Sequence, residues 1–108
     1  MPSQVSVQEL FEYLQAGNPV YLIDVREEWE RDLAKLPDHL HVPLGELEAR
    51  AGDVRPPEGA MVVAYCHQGV RSLHAAQFLE QARGIRVQSL AGGISAWSRQ
   101  VDPSIPTY

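Results

Sequence analysis

The sequence predicts an α/β fold in which a small central parallel β-sheet has helices on both faces. Two short apolar runs, 20–25 and 61–65, have the composition of strands that are covered on both faces. Two longer segments, 6–16 and 72–83, carry apolar residues at the spacing of an amphipathic helix. Because helices and strands alternate along the chain, we expect the strands to run parallel, with the helices packed against the sheet.

The first half of the chain begins with a helix and a strand. Ser6 and Glu9 have the spacing of a capping box, and Gly17 supplies the stop of the first helix. The strand VYLIDV at 20–25 follows. Shorter patterns then predict a helix at 27–33, a strand at 39–42 that Pro43 ends, and a helix at 44–50.

The second half contains the clearest strand, MVVAY at 61–65. The helix that we expect from Ser72 ends with Arg83 in its last turn and Gly84 beyond it. Its predicted inner face consists of Leu73, Ala76, Leu79 and Ala82. The remaining patterns predict a strand at 85–90 and a helix at 92–101.

Length and composition exclude several classes of protein. A chain of 108 residues with 44% hydrophobic residues can bury one core, so we expect a single domain over 1–108. The net charge of −5, with scattered basic residues, argues against nucleic acid or anionic lipid as partner. No apolar run or leader pattern indicates a membrane or secretory segment, and one cysteine cannot form an intrachain disulfide. We therefore expect a cytoplasmic protein.

The only cysteine, Cys66, follows the strand 61–65 and precedes a helix, in the stretch YCHQGVRS. Ligands of parallel sheets bind at the carboxyl ends of the strands, where loop amides and a helix N-terminus favour negative charge. Such surroundings, with a nearby cation such as Arg71, stabilise a thiolate over a thiol. Gly69 gives the tight loop a residue that tolerates positive φ.

The alternative is an inert core cysteine, which is the commoner role of a lone cysteine after an apolar strand. The residues that follow Cys66 argue against it, because His67, Gln68 and Arg71 are polar and do not suit a packed apolar environment. The loop as a whole favours a reactive sulfur.

Four motifs of this chain resemble, in the same order, those of single-domain rhodanese-like sulfurtransferases. They are LIDVREEWE, LPDHLHVPLGEL, YCHQGVRS with the following AAQFL, and LAGGISAW. The family pattern at the cysteine is Cys-x-x-Gly-x-Arg-Ser. The chain departs from the family at Ala34-Lys35 and Asp38-His39, where Gly-His and Gly-Ala are usual, which puts the shape of that connecting segment in question.

This resemblance implies transfer of a sulfane sulfur in two steps. The Cys66 thiolate would take the outer sulfur of thiosulfate or a persulfide donor, hold it as a persulfide and pass it to cyanide or a thiol. The loop amides would cradle the charge of the persulfide, and Arg71 would help to hold the anionic donor. The implied substrate-binding residues are His67, Gln68, Gly69, Val70, Arg71 and Ser72.

Three further residues have open roles. Asp24 and Arg26 end the strand 20–25 and resemble family positions; Asp24 suits structural support more than direct involvement. Arg26 either adds positive potential at the mouth of the site or is a solvated surface residue. His67 adjoins the nucleophile, but neighbours on a tight loop seldom face each other, so we expect it to line the pocket rather than to act as a base.

Two other functions remain open. Cysteine-dependent phosphatases and arsenate reductases use related loops, but the six residues from Cys66 to Arg71 match the loop length that accompanies sulfur chemistry in this family. The domain is alternatively a persulfide carrier or regulatory module that works with a protein partner. The histidines lack ligand-like spacing, and we predict no metal and no cofactor.

Overall fold

The computed structural model of the protein describes residues 3–108. Five parallel strands form one sheet in the order β1-β5-β4-β2-β3. The strands are β1 (Gln4–Val5), β2 (Val20–Asp24), β3 (Leu40–His41), β4 (Met61–Tyr65) and β5 (Gln88–Leu90). This arrangement confirms the predicted α/β fold with a parallel sheet.

Five α-helices connect or follow the strands. They are α1 (Val7–Gln15), α2 (Glu28–Leu33), α3 (Leu47–Arg50), α4 (Val70–Arg83) and α5 (Gly93–Gln100), and 3₁₀ turns at Leu44–Glu46 and Ala51–Asp53 flank α3. The predicted capping box is present at the start of α1. The Glu9 amide donates to Ser6 Oγ and the Ser6 amide donates to Glu9 Oε1, each with a donor–acceptor distance of 3.0 Å.

Both faces of the sheet are buried, which accounts for the uninterrupted apolar runs of β2 and β4. Along β4, Val62 and Ala64 pack into a cluster with Leu79 of α4. Val63 lies on the opposite face, in a cluster with Leu10 of α1 and Trp97 of α5. Since successive strand residues point to opposite faces, a strand covered on both sides has no polar alternation.

The helix α4 begins at Val70, two residues earlier than the sequence predicts. Gly69 has a φ of 101°, and this left-handed turn lets the helix start directly after the loop. The predicted inner face is correct only in part, because Ala82 is exposed and Ser72 and Ala75 are buried instead. Ser72 is thereby directed toward the interior beside the cysteine loop.

One strand was missed, and another is shorter than the sequence predicts. The two-residue strand β1, which pairs with β5 at the edge of the sheet, was not predicted, because its length gives no recognisable pattern. The strand expected at 85–90 is formed only at Gln88–Leu90. The residues before Gln88 are not part of the strand, and the Val87 amide donates to the Glu80 carboxylate at a distance of 3.3 Å.

Within residues 3–108, no helix is long and apolar enough to cross a membrane. The cytoplasmic location and the single-domain organisation over 1–108 remain predictions.

Candidate active site

Cys66 lies at the carboxyl edge of the sheet, immediately after β4, which runs between β5 and β2. An open cavity of about 170 Å³ is present there. Its lining residues are Cys66, His67, Gln68, Val70 and Arg71. Of the other two loop positions named from the sequence, Gly69 and Ser72 are both buried, close to the sulfur.

The sulfur of Cys66 accepts hydrogen bonds from two backbone amides. The distance to Sγ is 3.1 Å from the Gly69 amide nitrogen and 3.4 Å from the Ser72 amide nitrogen. Ser72 is the third residue of α4, so the sulfur serves as acceptor for one of the N-terminal amides that a helix leaves without an internal partner. Partial positive charge is therefore directed at the sulfur.

A pair of buried hydroxyl groups extends this polar environment. Cys66 Sγ lies 3.5 Å from Ser72 Oγ, which in turn lies 2.6 Å from Ser89 Oγ on β5. Both serines are fully buried. When Ser89 donates to Ser72, the Ser72 hydroxyl is free to donate to an ionised sulfur.

The start of α5 binds the cysteine loop through backbone hydrogen bonds. The Ile94 amide donates to the carbonyl oxygen of Cys66 over 2.9 Å, and the Ser95 amide donates to that of His67 over 3.1 Å. A Cβ on Gly69 would lie 3.1 Å from the backbone nitrogen of Gly92, so glycine is needed for this approach as well as for its positive φ.

Arg71 forms a bidentate ion pair with Glu30 of α2. Its two terminal nitrogens lie 2.6 and 2.8 Å from the two carboxylate oxygens. The hydrogen bonds from Arg71 hold the pKa of Glu30 at about 2, while Glu30 raises the pKa of Arg71. Both groups are charged at neutral pH, and Arg71 reaches the cavity with its charge compensated.

Asp24 and Arg26 form a buried ion pair beside the site. Asp24 accepts from Arg26 Nε over 2.9 Å and from Arg26 Nη2 over 2.8 Å, and both side chains are completely buried. A structural partner was expected for Asp24. The alternative that Arg26 is a solvated surface residue is wrong, because its guanidinium also donates to the carbonyl oxygen of Ala34 and to the hydroxyl of Tyr108.

His67 packs against the C-terminal segment. Its ring stacks on that of Tyr108, with centroids 4.1 Å apart and planes 14° from parallel. Among residues 3–108, no hydrogen bond joins the His67 ring to Cys66. This placement agrees with a pocket-lining position and offers no support for a base.

The chain matches the family described as Rhodanese-like domain over residues 6–100. The chain belongs to the rhodanese-like family. Its known relatives include larger proteins and single domains, which differ in how much of their length this domain represents.

Two curated relatives of this rhodanese-like domain are much longer. The probable adenylyltransferase/sulfurtransferase MoeZ of Mycobacterium tuberculosis is 31% identical over 106 residues, which cover 98% of this chain and 27% of the relative. The Rhodanese-like/PpiC domain-containing protein 12, chloroplastic, of Arabidopsis thaliana is 37% identical, covering 96% of this chain and 36% of the relative. The chain thus spans about a quarter to a third of their lengths.

A solved structure matches over nearly its whole length. The human single-domain sulfurtransferase TSTD1 superimposes with a TM-score of 0.75 at 27% identity, covering 93% of this chain and 98% of that one. The sulfurtransferase name therefore occurs both for a relative that is a single domain and for a relative in which the matching region is part of a longer chain.

Four residues of the rhodanese-like site were not predicted from the sequence. Ser89 could have been predicted from the sequence, because a serine within the apolar strand IRVQSL requires a buried hydrogen-bond partner. Glu30 stands among several acidic residues of α2 with nothing to mark it, and Tyr108 reaches the site only through the path of the C-terminal segment. Gly93 belongs to the quoted LAGGISAW motif, but its contact with the cysteine loop is a tertiary feature.

No group of three or more His, Cys, Asp or Glu residues with the geometry of a metal site occurs in the described part of this domain, 3–108. The absence of a metal and of a cofactor stays a prediction.

Proposed function

We propose that this rhodanese-like domain is a sulfurtransferase in which Cys66 carries the transferred sulfur as a persulfide. The observation that carries the proposal is the position of Cys66, a buried residue in the lining of a cavity, whose Sγ accepts hydrogen bonds from the amides of Gly69 and Ser72. Amide donors and a helix N-terminus favour a thiolate, which is the nucleophilic form of cysteine. Family membership supports sulfur as the group transferred.

The first half-reaction is a displacement at sulfur. The Cys66 thiolate forms a bond to the outer sulfur of thiosulfate or of a persulfide donor. The S–S bond of the donor breaks, and its electron pair leaves with sulfite or with the donor thiolate. The product is an anionic persulfide on Cys66, and the loop amides with the N-terminus of α4 stabilise its charge.

The second half-reaction restores the enzyme. Cyanide or a thiolate attacks the outer sulfur of the persulfide, and the Cys66 thiolate leaves with the electron pair. No external oxidant or reductant is consumed in either step. The route requires two separate half-reactions, so the kinetics should be ping-pong.

Steady-state kinetics test this scheme. We expect thiocyanate to form from thiosulfate and cyanide, with parallel lines in double-reciprocal plots at several fixed cyanide concentrations. Cys66→Ser should abolish turnover while remaining folded, because serine fits the same buried position. Intersecting lines, or full activity in Cys66→Ser, would contradict a Cys66 persulfide intermediate.

A second candidate function is a persulfide carrier for a protein partner. The specific observation in its favour is apolar surface near the cavity: Val70 is 65% exposed and Trp29 is 61% exposed. Trp29 lies edge-on to Tyr108, which covers His67. A carrier would exchange sulfur much faster with a persulfidated protein than with thiosulfate, and Trp29→Ser, at a position outside the cavity lining, would slow only the protein reaction.

A further inference from the structure

The charge of Arg71 is compensated by a carboxylate that has little freedom to move. Glu30 is only 3% exposed and binds both terminal nitrogens of Arg71. Its Oε2 also accepts from the Tyr108 hydroxyl over 2.9 Å, and its Oε1 accepts from the Glu27 amide over 3.1 Å. A carboxylate that accepts from three partners at its two oxygens loses these hydrogen bonds if it rotates away when a ligand approaches Arg71.

Tyr108 is fixed in turn by a buried group. Arg26 Nη1 donates to the Tyr108 hydroxyl over 2.9 Å, and that hydroxyl donates to Glu30. Since Arg26 is anchored by Asp24, the ion pair of Glu30 with Arg71 belongs to a connected buried network. The low pKa of Glu30, about 2, keeps its carboxylate ionised at neutral pH.

The cavity therefore offers an approaching anion little net positive charge from side chains. Arg71 is the one residue of its lining with a permanent positive charge. Arg26 is enclosed and paired with Asp24, and Arg31 lies 3.3 Å from Asp24 and 3.1 Å from Asp38. An anionic donor must share Arg71 with Glu30 while it approaches a thiolate.

We propose that Glu30 is a specificity-determining residue that disfavours dianionic sulfur donors relative to monoanionic ones. This inference rests on the proposed sulfurtransferase function. A site discriminates by repelling one ligand as well as by attracting another, and a fixed carboxylate beside the cation repels a dianion more than a monoanion. The favoured class comprises thiosulfonates and persulfides that bring a single negative charge to the cavity.

Thiosulfate and methanethiosulfonate form a matched pair of probes. Both offer a terminal sulfur bonded to an oxidised sulfur, but the first is a dianion and the second a monoanion. In each case Cys66 bonds to the terminal sulfur, the S–S bond breaks, and its electron pair leaves with sulfite or methanesulfinate. The chemistry is the same, so a change in their relative use reports on charge.

The test compares kcat/KM for the two donors in the wild-type protein and in Glu30→Gln. Glutamine keeps the size of the side chain and an acceptor for the Glu27 amide but removes the charge. We expect the thiosulfate-to-methanethiosulfonate ratio of kcat/KM to rise by about tenfold, mainly through a lower KM for thiosulfate. Tyr108→Phe, which retains the stacking ring but loses the hydroxyl that holds Glu30, should shift the ratio in the same direction by less.

Glu28→Gln is the matched control, because it removes the same charge from an exposed position of the same helix. Its ratio should stay within about twofold of wild type, since exposed charges are screened. An unchanged ratio in folded, active Glu30→Gln and Tyr108→Phe would overturn the role of Glu30 and leave the sulfurtransferase function standing. Failure of the wild-type protein to take sulfur from either donor would overturn both proposals.

Discussion

Gly93 packs so closely against the backbone of His67 that a Cβ at this glycine would lie 2.4 Å from the His67 carbonyl oxygen. The same Cβ would lie 2.5 Å from the carbonyl oxygen of Cys66, and Gly93 has a positive φ of 61°. The start of α5 thus forms the floor of the cysteine loop. The shape of the site depends on the absence of a side chain in a different part of the sequence.

Gly93→Ala should therefore damage both stability and the site. The methyl group meets backbone rather than a flexible side chain, and its residue must adopt a left-handed conformation, so we expect a loss of about 2–4 kcal/mol in the free energy of unfolding. Urea unfolding measures this loss. Gly45→Ala is the control, because its Cβ meets no atom within 4 Å and its φ is not positive; equal effects of the two substitutions would refute the account.

Ser72→Ala should lower the nucleophilicity of Cys66. The substitution removes the hydroxyl 3.5 Å from the sulfur while the amide of residue 72 stays in place. Hydrogen bonds to charged groups are worth about 1.5–3 kcal/mol, so we expect alkylation by iodoacetamide at neutral pH to slow by about tenfold. Ser104→Ala, at an exposed position, should react like wild type. An unchanged rate in Ser72→Ala would show that the hydroxyl does not stabilise the thiolate.

Asp24→Asn should destabilise the fold strongly. Asp24 accepts from Arg26 at three nitrogens and from the Tyr65 hydroxyl, and the substitution leaves a buried guanidinium without its counter-charge. Breaking one side of a buried ion pair costs about 3–5 kcal/mol. The midpoint of urea unfolding gives the measurement, with exposed Asp32→Asn as the control. A loss below about 1 kcal/mol would contradict this role of the Asp24 carboxylate as the counter-charge of Arg26.

The Glu30 ion pair should make stability depend on acid pH. Arg71 and the other partners lower the pKa of Glu30 from 4.5 to about 2 in the folded protein. The contribution of the ionised Glu30 carboxylate to the free energy of unfolding is therefore complete above about pH 5.5 and disappears as pH falls toward 2. We expect wild type to exceed Glu30→Gln by about 2 kcal/mol at pH 7 and by less than half of that at pH 3. Urea unfolding at the two pH values checks this; a difference independent of pH would contradict the ionised pair.

The sequence was sufficient to predict the fold and the position of the candidate nucleophile. Apolar runs without alternation indicated strands buried on both faces, and a lone cysteine after such a strand, followed by polar residues and a glycine, indicated a site at the carboxyl edge. These features are local. They depend on residues within a few positions of Cys66 and on the strict rule that parallel strands end at the same edge.

The partners of the loop could not be predicted, because they come from distant parts of the chain. Arg71 was expected to hold an anionic donor, yet it pairs with Glu30, 41 positions away in sequence. Arg26 was expected at the mouth or on the surface, but its side chain is completely buried and donates a hydrogen bond to the Tyr108 hydroxyl. No periodicity identifies which of several acidic residues of α2 turns inward.

Intact mass of the reduced protein before and after incubation with methanethiosulfonate or thiosulfate tests the central claim most directly. The account predicts a gain of one sulfur atom, about 32 Da, that cyanide removes and that Cys66→Ala does not acquire. The same gain in Cys66→Ala, or no gain from either donor in a protein whose thiol is fully reduced, would contradict a Cys66 persulfide.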